Sequence, residues 1–402
     1  MDKLFLNHKQ SVYGFFNVFR LKKKKYGIII AVVMMRKYDI AIIGAGAAGI
    51  SCALACKQKN PNKTIIILEQ NDRIGKKILK TGNGKCNLGN VHLYETSYYN
   101  WNYIQNKMKQ FDVIKYFKKM GIMTKQDEQG RLYPYSETAA SIVDILRYEL
   151  ERQEIIVQCS FMVTNIIKDK NFIIQGMQDS IEAEKIVVAT GSLAQEKTNG
   201  YQLLERLGHH ITPLSPRLVP IKVEEKVKPL QGIRVKCLAK ANGFQEYGEI
   251  LFKETGLSGI LALNLSRYVN KKDEIILDFA PEKSFLELKE YIKGLENRDL
   301  SMMLRGLLPK MLILDILKKA DTIETIANMI KNYRLTVKDL YGYEFAQITR
   351  GGVDMAEIKE DFASKIIKNL YIVGEVLDVD GECGGYNLMF AWMSGSIVGE
   401  NI

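Results

Sequence analysis

The 402-residue sequence predicts an α/β protein in which a three-layer nucleotide-binding domain is interrupted by a second, inserted unit. Two observations predict the first domain: the apolar run 38–43 leads directly into a glycine-rich turn, and 64–68 is a β-branched run suited to a strand buried on both faces. A third observation predicts the insertion. From about residue 196 the sequence changes to short alternating runs with turn glycines, and it returns to a buried strand at 370–373.

The glycine-rich turn has the spacing G-x-G-x-x-G, with Gly44, Gly46 and Gly49 between a predicted strand and a predicted helix. Gly44 permits the tight turn, Gly46 lets the backbone approach a pyrophosphate, and Gly49 lets the helix pack close to the strand. The helix begins at Ala47 and Ala48, so its unpaired N–H groups and positive dipole end face the phosphates. The turn therefore predicts a dinucleotide site.

Glu69 ends the second strand, where its carboxylate can accept hydrogen bonds from the hydroxyls of an adenosine ribose. Strand, turn, helix, strand and acid thus follow one another as a Rossmann-like βαβ unit requires. These features alone do not distinguish FAD from NAD. The loop 75–90 follows closely, and its four glycines with several hydroxyl, amide and cationic groups suit a segment laid along an extended cofactor.

The remaining elements are predicted from periodicity and turn residues. Helices are predicted at 47–60, 101–120, 141–153 and 387–401, with several more within 283–335. Short strands are predicted at 155–157, 163–167, 172–175 and 185–189, and a small β unit at 211–280. His209 and His210 follow a predicted helix C-terminus, where the dipole favours histidine, and we assign them no catalytic role.

Five segments together resemble a family of flavoproteins that includes the bacterial bile-acid 4,6-reductases and the aminoacetone-oxidase-like FAD proteins. They are the turn 44–49, the loop 75–90, Gly-Arg-Leu-Tyr-Pro-Tyr-Ser at 130–136, Val-Val-Ala-Thr-Gly at 187–191, and the glycine-rich stretch 374–388. The resemblance runs from about residue 36 to residue 402. Ser192 stands where that family often has a second glycine, and Cys383 stands where threonine is common.

The resemblance implies bound FAD in an extended pose. The pyrophosphate would meet the turn 44–49, Glu69 would hold the ribose, the backbone of Val163 would meet the adenine, and Asn387 and Leu388 would direct N–H groups to the flavin N1/O2 edge. The other implied cofactor contacts are Lys76, Lys77, Thr81, Gly82, Gly84, Cys86, Asn87, Ala189, Thr190, Gly191, Gly374, Glu375 and Gly385.

The resemblance also implies that the change of sequence pattern near residue 196 marks an inserted β-barrel plus helical-bundle domain. We therefore expect a FAD-binding domain in two parts, 36–195 and 346–402, with the inserted domain at 196–345. Residues 1–35 are expected to be a basic extension that is not native, with Met34 or Met35 as the natural start.

The net charge of +11 is concentrated at the N-terminus. Residues 1–37 carry nine Lys/Arg against one acid, which leaves only +3 on the rest of the chain. A nearly neutral body disfavours nucleic acid as a partner, and the nine-residue apolar run 27–35 is too short for membrane insertion. We therefore expect a small, hydrophobic molecule as substrate, and the oligomeric state stays open.

The six cysteines are scattered and form no CxxC pair, so we predict no metal site. Scattered thiols without a secretory signal point to the cytoplasm. Cys86 and Cys383 both fall in segments expected near the flavin. A redox pair between them is therefore one hypothesis, and packing as small apolar residues is the other.

The chemistry expected first is hydride transfer from reduced flavin N5 to an activated C=C of a hydrophobic substrate. No second G-x-G-x-x-G follows residue 195, so NAD(P)H would bind transiently at the flavin. The proton donor is left open among Arg131, Tyr133, Tyr135 and Tyr386, and no catalytic residue is assigned. The alternatives are oxidation of a small amine by oxygen and a role as an FAD-bound RNA-modification or nucleic-acid-binding factor.

Overall fold

The computed structural model describes residues 19–23, 29–33, 35–295 and 298–402. Its strands are β1 (Phe19–Lys23), β2 (Ile29–Val33), β3 (Arg36–Ile43), β4 (Ile65–Leu68), β5 (Gly89–Asn90), β6 (Thr124–Gln126), β7 (Arg131–Pro134), β8 (Ile156–Gln158), β9 (Val163–Lys168), β10 (Phe172–Gly176), β11 (Ser180–Val188), β12 (Ser215–Arg217), β13 (Ile221–Val223), β14 (Arg234–Ala241), β15 (Phe244–Lys253), β16 (Gly256–Ser258), β17 (Glu274–Asp278), β18 (Tyr333–Leu340), β19 (Ile348–Arg350) and β20 (Leu370–Ile372). Its helices are α1 (Ala47–Lys59), α2 (Trp101–Gln110), α3 (Val113–Lys118), α4 (Ala139–Arg152), α5 (Gly200–Arg206), α6 (Ile260–Leu265), α7 (Phe285–Lys293), α8 (Leu300–Met303), α9 (Lys310–Lys319), α10 (Ile323–Lys331) and α11 (Tyr386–Asn401).

The central sheet has seven strands in the order β8-β4-β3-β11-β10-β9, with β20 also paired to β11. The strands β8, β4, β3, β11 and β20 are parallel, while β9 and β10 add an antiparallel edge. All four residues of β4 are buried, which explains the uninterrupted β-branched run. The predicted three-layer Rossmann-like fold is confirmed.

Helices α1 and α11 pack against each other unusually closely because both present small residues. A Cβ added at Gly395 would lie 2.1 Å from the Ala48 carbonyl oxygen, and one at Gly399 would lie 2.3 Å from the Cys52 carbonyl oxygen. Any larger side chain at these positions would separate the helices. The last helix of the chain is therefore fixed directly onto the helix that follows the glycine fingerprint.

The inserted unit contains a closed barrel of six strands in the order β13-β16-β15-β14-β17-β18, together with α6 to α10. It has a hydrophobic core of its own, separate from the core of the central sheet. Helix α5 lies inside the predicted insertion, but its Tyr201, Leu203 and Leu204 belong to the first core. The β12–β19 pair joins the two segments of chain that lead into and out of the barrel. The domain bounds stay predictions.

The helix predicted over 101–120 is wrong as a single element. It divides into α2 and α3, with Phe111 and Asp112 in extended conformation between them. The Asp112 side chain accepts a hydrogen bond from the Lys115 backbone N–H at 2.8 Å and so starts a new helix. The helices predicted within 283–335 are present as α7 to α10, although the last residues of that range already belong to β18.

The predicted basic extension lies largely outside the described residues, and its expected start at Met34 or Met35 stays a prediction. Within it, β1 and β2 form an antiparallel pair. Among the described residues, no helix combines the length and the apolar character needed to cross a membrane.

His209 is fully buried and joins the end of α5 to the segment before β20. Its Nδ1 lies 2.8 Å from Glu357 Oε2, and its Nε2 lies 2.9 Å from Ser364 Oγ. Ser364 Oγ already accepts from the N–H groups of Ile366 and Ile367, so its hydroxyl hydrogen is free to be donated to Nε2. This arrangement fixes one tautomer of the imidazole and explains the residue structurally, without a catalytic role.

We expect His209→Ala to lower the free energy of unfolding by about 2–4 kcal/mol, because it leaves a cavity and two polar groups without partners. His210→Ala is the matched control, since that side chain is exposed and should change stability by no more than about 0.5 kcal/mol. Urea unfolding of both variants measures the difference. Equal stability of the two variants would contradict this account of His209.

Candidate functional site

A cavity of about 770 Å³ lies between the carboxyl edge of the central sheet and the inserted unit. One wall is formed by the glycine fingerprint, the end of β4, the 75–90 loop and the start of α11. The opposite wall is formed by β14, β15, β16, α6 and β19. Ligands of open α/β sheets bind at this edge, where strands end and helices begin.

The three fingerprint glycines have different structural roles. A Cβ at Gly44, which has φ of +108°, would lie 2.4 Å from the Ala189 carbonyl oxygen, and one at Gly49 would lie 2.0 Å from the Gly44 carbonyl oxygen. A Cβ at Gly46 would meet no atom within 4 Å. Gly44 and Gly49 are therefore required by the protein's own packing, whereas Gly46 leaves open space at the N-terminus of α1 for a ligand to approach.

Glu69 is buried beneath the same turn. Its Oε2 accepts from the Ala45 N–H at 2.7 Å, and its Oε1 accepts from the Asn71 N–H at 2.8 Å. A carboxylate offers about four acceptor positions, so capacity remains on the side that lines the cavity. The protein thus fixes the orientation of this carboxylate in advance.

The 75–90 loop is stabilised by three polar contacts of its lysines. Lys77 Nζ lies 2.5 Å from Glu375 Oε2 and 3.4 Å from Ser192 Oγ. Lys76 Nζ donates to Asn71 Oδ1 at 3.0 Å. Ser192, which the sequence marked only as a departure from a family pattern, therefore takes part in the Lys77–Glu375 contact.

The turn before α11 brings a second set of backbone donors to the cavity. Asn387 uses its side chain to close that turn, because Oδ1 accepts from the Gly381 N–H at 2.6 Å and Nδ2 donates to the Gly381 carbonyl at 3.0 Å. The first-turn N–H groups of Asn387 and Leu388 have no partner within the helix. These groups, with the positive end of the helix dipole, favour a negatively charged ligand group.

Polar atoms without partners also indicate a polar ligand. Asn87 Oδ1, Thr190 Oγ1 and Glu196 Oε1 are buried without a hydrogen bond in the described part of the chain, and all three residues line the cavity. A buried acceptor without a partner costs about 1–3 kcal/mol. Hydrogen-bond donors of a bound cofactor would remove this cost, so the residues present fit a dinucleotide such as FAD.

Almost all of the predicted cofactor residues line the cavity: Gly44, Gly46, Ala47, Ala48, Glu69, Lys76, Lys77, Thr81, Gly82, Asn87, Val163, Ala189, Thr190, Gly191, Gly374, Glu375, Gly385, Asn387 and Leu388. Gly49, Gly84 and Cys86 are not among its lining residues. Gly49 serves helix packing instead. The individual contacts of these residues with FAD stay predictions.

The side chain of Cys86 is fully buried and does not line the cavity, and its contact with FAD stays a prediction. Burial raises the pKa of its thiol to about 12, so it stays neutral and packs as a small apolar group. Cys383 does line the cavity, and its Sγ lies 3.6 Å from Gln347 Oε1. Both thiols are free, so the structure contains no Cys86–Cys383 disulfide.

The four proposed proton donors separate into two groups. Arg131 and Tyr133 line the cavity. Tyr135 is exposed to solvent, and Tyr386 is buried with its hydroxyl donating to the His92 carbonyl at 2.9 Å. The structure therefore removes Tyr135 and Tyr386 from the cavity wall.

Buried ion pairs hold the inserted unit against the turn before α11. Asp380 is almost fully buried, and its Oδ1 accepts from Arg267 Nε at 2.9 Å. Arg350 adds two contacts to the same carboxylate, from Nε to Oδ2 at 2.7 Å and from Nη2 to Oδ1 at 2.9 Å. Asp380 lies in the turn before α11, which belongs to one wall of the cavity. Arg267 follows α6 and Arg350 ends β19, which belong to the other wall, so this carboxylate connects the two walls.

Next to this cluster lies a second acidic group that the sequence did not single out. Asn264 Nδ2 donates to the Glu246 carboxylate at 3.1 and 3.3 Å, and Asn264 Oδ1 accepts from the Cys383 N–H at 2.9 Å. Burial raises the pKa of Glu246 to about 7, and the nearby charge of Glu382 adds to this effect. The Asn264 amide and Arg267 oppose the shift only in part.

The fold and the site together define a flavoprotein oxidoreductase that binds a dinucleotide at the carboxyl edge of a Rossmann sheet. The chain belongs to the family described as the HI0933-like protein Rossmann domain, whose model matches residues 38–401. It is an FAD-dependent enzyme, which confirms the expected cofactor.

The chain is similar to three characterised relatives along most of its length. It is 31% identical over 401 residues to a 3-dehydro-bile acid delta(4,6)-reductase of Clostridium scindens, covering 90% of this chain and 98% of the relative. It is 30% identical over 385 residues to a ribosomal RNA dihydrouridine synthase of Haemophilus influenzae, covering 88% and 95%. The protein of the same name from Escherichia coli is 28% identical over 389 residues, covering 90% and 96%.

Among solved structures, the chain is similar to a 3-ketosteroid-delta4-(5alpha)-dehydrogenase from Rhodococcus jostii RHA1, with a TM-score of 0.46 and 12% identity over 91% of this chain and 96% of the other. It is also similar to the open conformation of a flavocytochrome c3 fumarate reductase, with a TM-score of 0.48 and 16% identity over 91% and 78%.

Two glycine variants should separate ligand binding from packing. Gly46→Ala places a Cβ in open space at an ordinary negative φ, so the apoprotein should fold normally while FAD affinity falls at least about tenfold, or about 1.4 kcal/mol. Gly49→Ala places its Cβ against the Gly44 carbonyl and should destabilise the apoprotein by about 1–3 kcal/mol or more. Flavin fluorescence titration and urea unfolding measure the two effects. Normal FAD affinity in Gly46→Ala would contradict the assigned approach of the cofactor.

Glu246 should make stability pH-dependent. A carboxyl whose pKa rises from 4.5 to about 7 on folding adds to the free energy of unfolding in full below about pH 4.5. This contribution is lost as the pH rises to about 7. Relative to Glu246→Gln, the wild-type apoprotein should therefore lose roughly 1–3 kcal/mol of unfolding free energy across this interval. Urea unfolding of both proteins at about pH 5 and about pH 8 measures the change. A constant difference between them would show that Glu246 titrates normally.

Proposed function

We propose that this enzyme reduces an activated C=C bond in a hydrophobic substrate, with NAD(P)H as the electron donor and FAD as the hydride carrier. The observation that carries the proposal is the combination of two unlike walls in one cavity. The wall at the sheet edge suits a dinucleotide, and the wall from the inserted unit suits an apolar molecule. Ligand sites of this kind are largely apolar, with a few placed polar groups.

The apolar wall is built from residues that are far apart in the sequence. Leu251 of β15, Ile260 and Leu263 of α6, and Ile348 of β19 all line the cavity. Ile260 is nearly half exposed in the described protein, so a ligand could still cover apolar surface there. Burial of apolar surface contributes about 25 cal/mol per Å². An aliphatic ring system is the class of ligand that this wall accommodates best.

The names of the relatives support the type of reaction. A 3-oxo group conjugated with the 4,6 double bonds polarises a dienone, and the C4 carbonyl of uridine polarises its C5=C6 bond in the same way. Both named reactions therefore add a hydride and a proton to a C=C bond conjugated with a carbonyl. We infer that this chemistry is common to these proteins and that the inserted unit determines the substrate.

The residues of the site support this chemistry electrostatically. Bound FAD would supply hydride from its reduced N5. The N-terminus of α11 favours the negative charge that a reduced flavin carries, and Lys77 adds a cation that Glu375 holds in place. NAD(P)H would reach the flavin through the same cavity, because the sequence contains no second glycine fingerprint after residue 195.

Reduction of a uridine in ribosomal RNA is the second candidate, and the names of two relatives favour it. The charge distribution favours a small molecule instead, because residues 38–402 carry a net charge of only +3. RNA binding depends on many Lys/Arg contacts with phosphates. Oxidation of a small amine by oxygen stays a prediction that the same experiment can test.

Anaerobic stopped-flow spectroscopy of the FAD-loaded protein should distinguish the candidates. We expect NADPH or NADH to bleach the flavin rapidly, and a 4,6-dien-3-one steroid to reoxidise it faster than oxygen does. Reoxidation by a uridine-containing ribosomal RNA fragment but not by the steroid would favour the second candidate. Reduction of the flavin by aminoacetone, with no reduction by either nicotinamide, would overturn the proposal in favour of an oxidase.

A variant pair tests the role of the apolar wall. Ile260→Arg should raise the KM for the steroid at least about tenfold, since it places a charge on the apolar wall, and should leave flavin reduction by NAD(P)H unchanged. Leu286→Arg is the control, because Leu286 is exposed on α7 and does not line the cavity. An unchanged KM in Ile260→Arg would place the substrate elsewhere.

A further inference from the structure

We propose that Glu382 donates the proton that completes C=C reduction, and that Glu246 on the barrel keeps it supplied with protons. This inference rests on the proposed function and deepens it by naming a catalytic residue. The geometry points to the turn that precedes α11, where an acidic side chain lines the cavity and meets a second carboxylate contributed by the inserted unit.

Glu382 is held rigidly from both sides of its peptide. Its N–H donates to the Ser97 carbonyl at 2.9 Å, and the Asn387 side chain donates to its carbonyl at 3.4 Å. Its side chain remains one-fifth exposed, and the residue lines the cavity. A fixed backbone with a side chain free to reach a ligand is what a proton donor requires.

Arg267 is the cation beside Glu382, and one of its nitrogens has no hydrogen bond. Arg267 Nη1 lies 3.7 Å from Glu382 Oε1 and makes no hydrogen bond, although it is buried. The other nitrogens of Arg267 are committed to Asp380, with Nε at 2.9 Å from Oδ1 and Nη2 at 3.1 Å from the carbonyl. Arg267 can therefore stabilise the carboxylate that Glu382 becomes after losing its proton, without holding that carboxylate in a close ion pair.

Glu246 connects to this turn through one amide. Asn264 donates to the Glu246 carboxylate and accepts from the N–H of Cys383, the residue that follows Glu382. This contact places the Glu246 carboxylate beside the turn that carries Glu382. Since Glu246 does not itself line the cavity, we assign it a positioning and proton-supplying role.

The carboxylates of this cluster outnumber its guanidinium groups. Asp380, Glu382 and Glu246 lie around only two guanidinium groups, those of Arg267 and Arg350. Burial raises the pKa of Glu382 as well as that of Glu246. The other titratable groups that act on the pair have raised pKa values and are neutral: Tyr98, Tyr268, Cys383 and Tyr386.

Arg131 and Tyr133, the two proton-donor candidates that line the cavity, hold their protons more firmly than the carboxyl groups do. Hydrogen bonding to Asp127 raises the pKa of Arg131 despite its burial, and burial raises the pKa of Tyr133. A general acid is most efficient when its pKa lies near the working pH. The pKa of Glu246 lies near this range, and burial raises the pKa of Glu382 toward it, whereas the pKa values of the guanidinium and the phenol are raised further above it.

The proposed step adds one hydride and one proton to the substrate. Hydride from the reduced flavin forms a C–H bond at the β-carbon of the enone, and the π electron pair moves toward the α-carbon and the carbonyl. The O–H bond of Glu382 breaks, and its proton forms the second C–H bond at the α-carbon. The substrate is reduced by two electrons, the flavin is oxidised, and Glu382 is left as a carboxylate that Glu246 and solvent reprotonate. NAD(P)H then reduces the flavin again.

Three matched variants test the proposal in anaerobic stopped-flow: Glu382→Gln, Glu246→Gln and the control Glu254→Gln, which alters an exposed ion pair with Lys228. All three should keep flavin reduction by NAD(P)H within about twofold of wild type. Reoxidation by a 4,6-dien-3-one steroid should fall at least about 100-fold in Glu382→Gln, the range expected for loss of a general acid. In Glu246→Gln the rate should fall above about pH 7 and recover at lower pH.

A second readout does not depend on turnover. The absorbance of the oxidised flavin, titrated with pH in the holoenzyme, should show a transition near neutral pH that is retained in Glu254→Gln, shifted to lower pH in Glu246→Gln and absent from Glu382→Gln. If Glu382→Gln impairs FAD binding, Glu382→Asp replaces it, because a shorter acid should keep the transition while slowing reoxidation about tenfold or more.

The outcomes distinguish this inference from the proposed function. A wild-type enzyme that does not reduce the steroid or any other enone overturns both. A wild-type enzyme that reduces it, with Glu382→Gln reoxidising at a rate within threefold of wild type, overturns only the assignment of Glu382. Equal slowing of both half-reactions in Glu382→Gln would show a structural role instead and would also overturn the assignment.

Discussion

One buried carboxylate, Asp380, fixes the two folding units of this enzyme against each other. It accepts hydrogen bonds from Arg267, which follows α6, and from Arg350, which ends β19. Removing three charges from water is costly and is offset only while all three stay together. Turning the inserted unit away from the sheet would therefore separate Arg267 from Asp380 and leave the Arg267 guanidinium without its partner. The cavity keeps its two walls at a fixed separation for this reason.

The two walls recognise ligands by different means. The wall at the sheet edge uses backbone N–H groups, glycines and one oriented carboxylate, Glu69, which are features that any chain binding the same dinucleotide can share. The opposite wall uses side chains such as Leu251 and Ile348, which can change without disturbing the fold. This division explains how relatives with one cofactor fold can carry names that refer to a steroid-like acid and to a nucleoside.

The cofactor side of the cavity could be predicted because its determinants are local: Gly44 and Gly49 lie between one strand and one helix, and Glu69 ends the next strand. Glu246 and Asn264 gave no such signal, because only the pairing of distant barrel strands brings them to Cys383. The sequence left open whether Cys86 packs or reacts, and its burial in the core favours packing. The helix over 101–120 was overextended because Asp112 caps a new helix within an otherwise helical pattern.

The close contact of α11 with α1 has a consequence for how the enzyme is made. The fingerprint turn emerges from the ribosome early, but the N–H groups that complete the cavity belong to a helix translated after the whole inserted unit. The barrel has its own core and can fold while the sheet still lacks β20. The cavity therefore lacks part of its backbone donors until the inserted unit and α11 have both been translated.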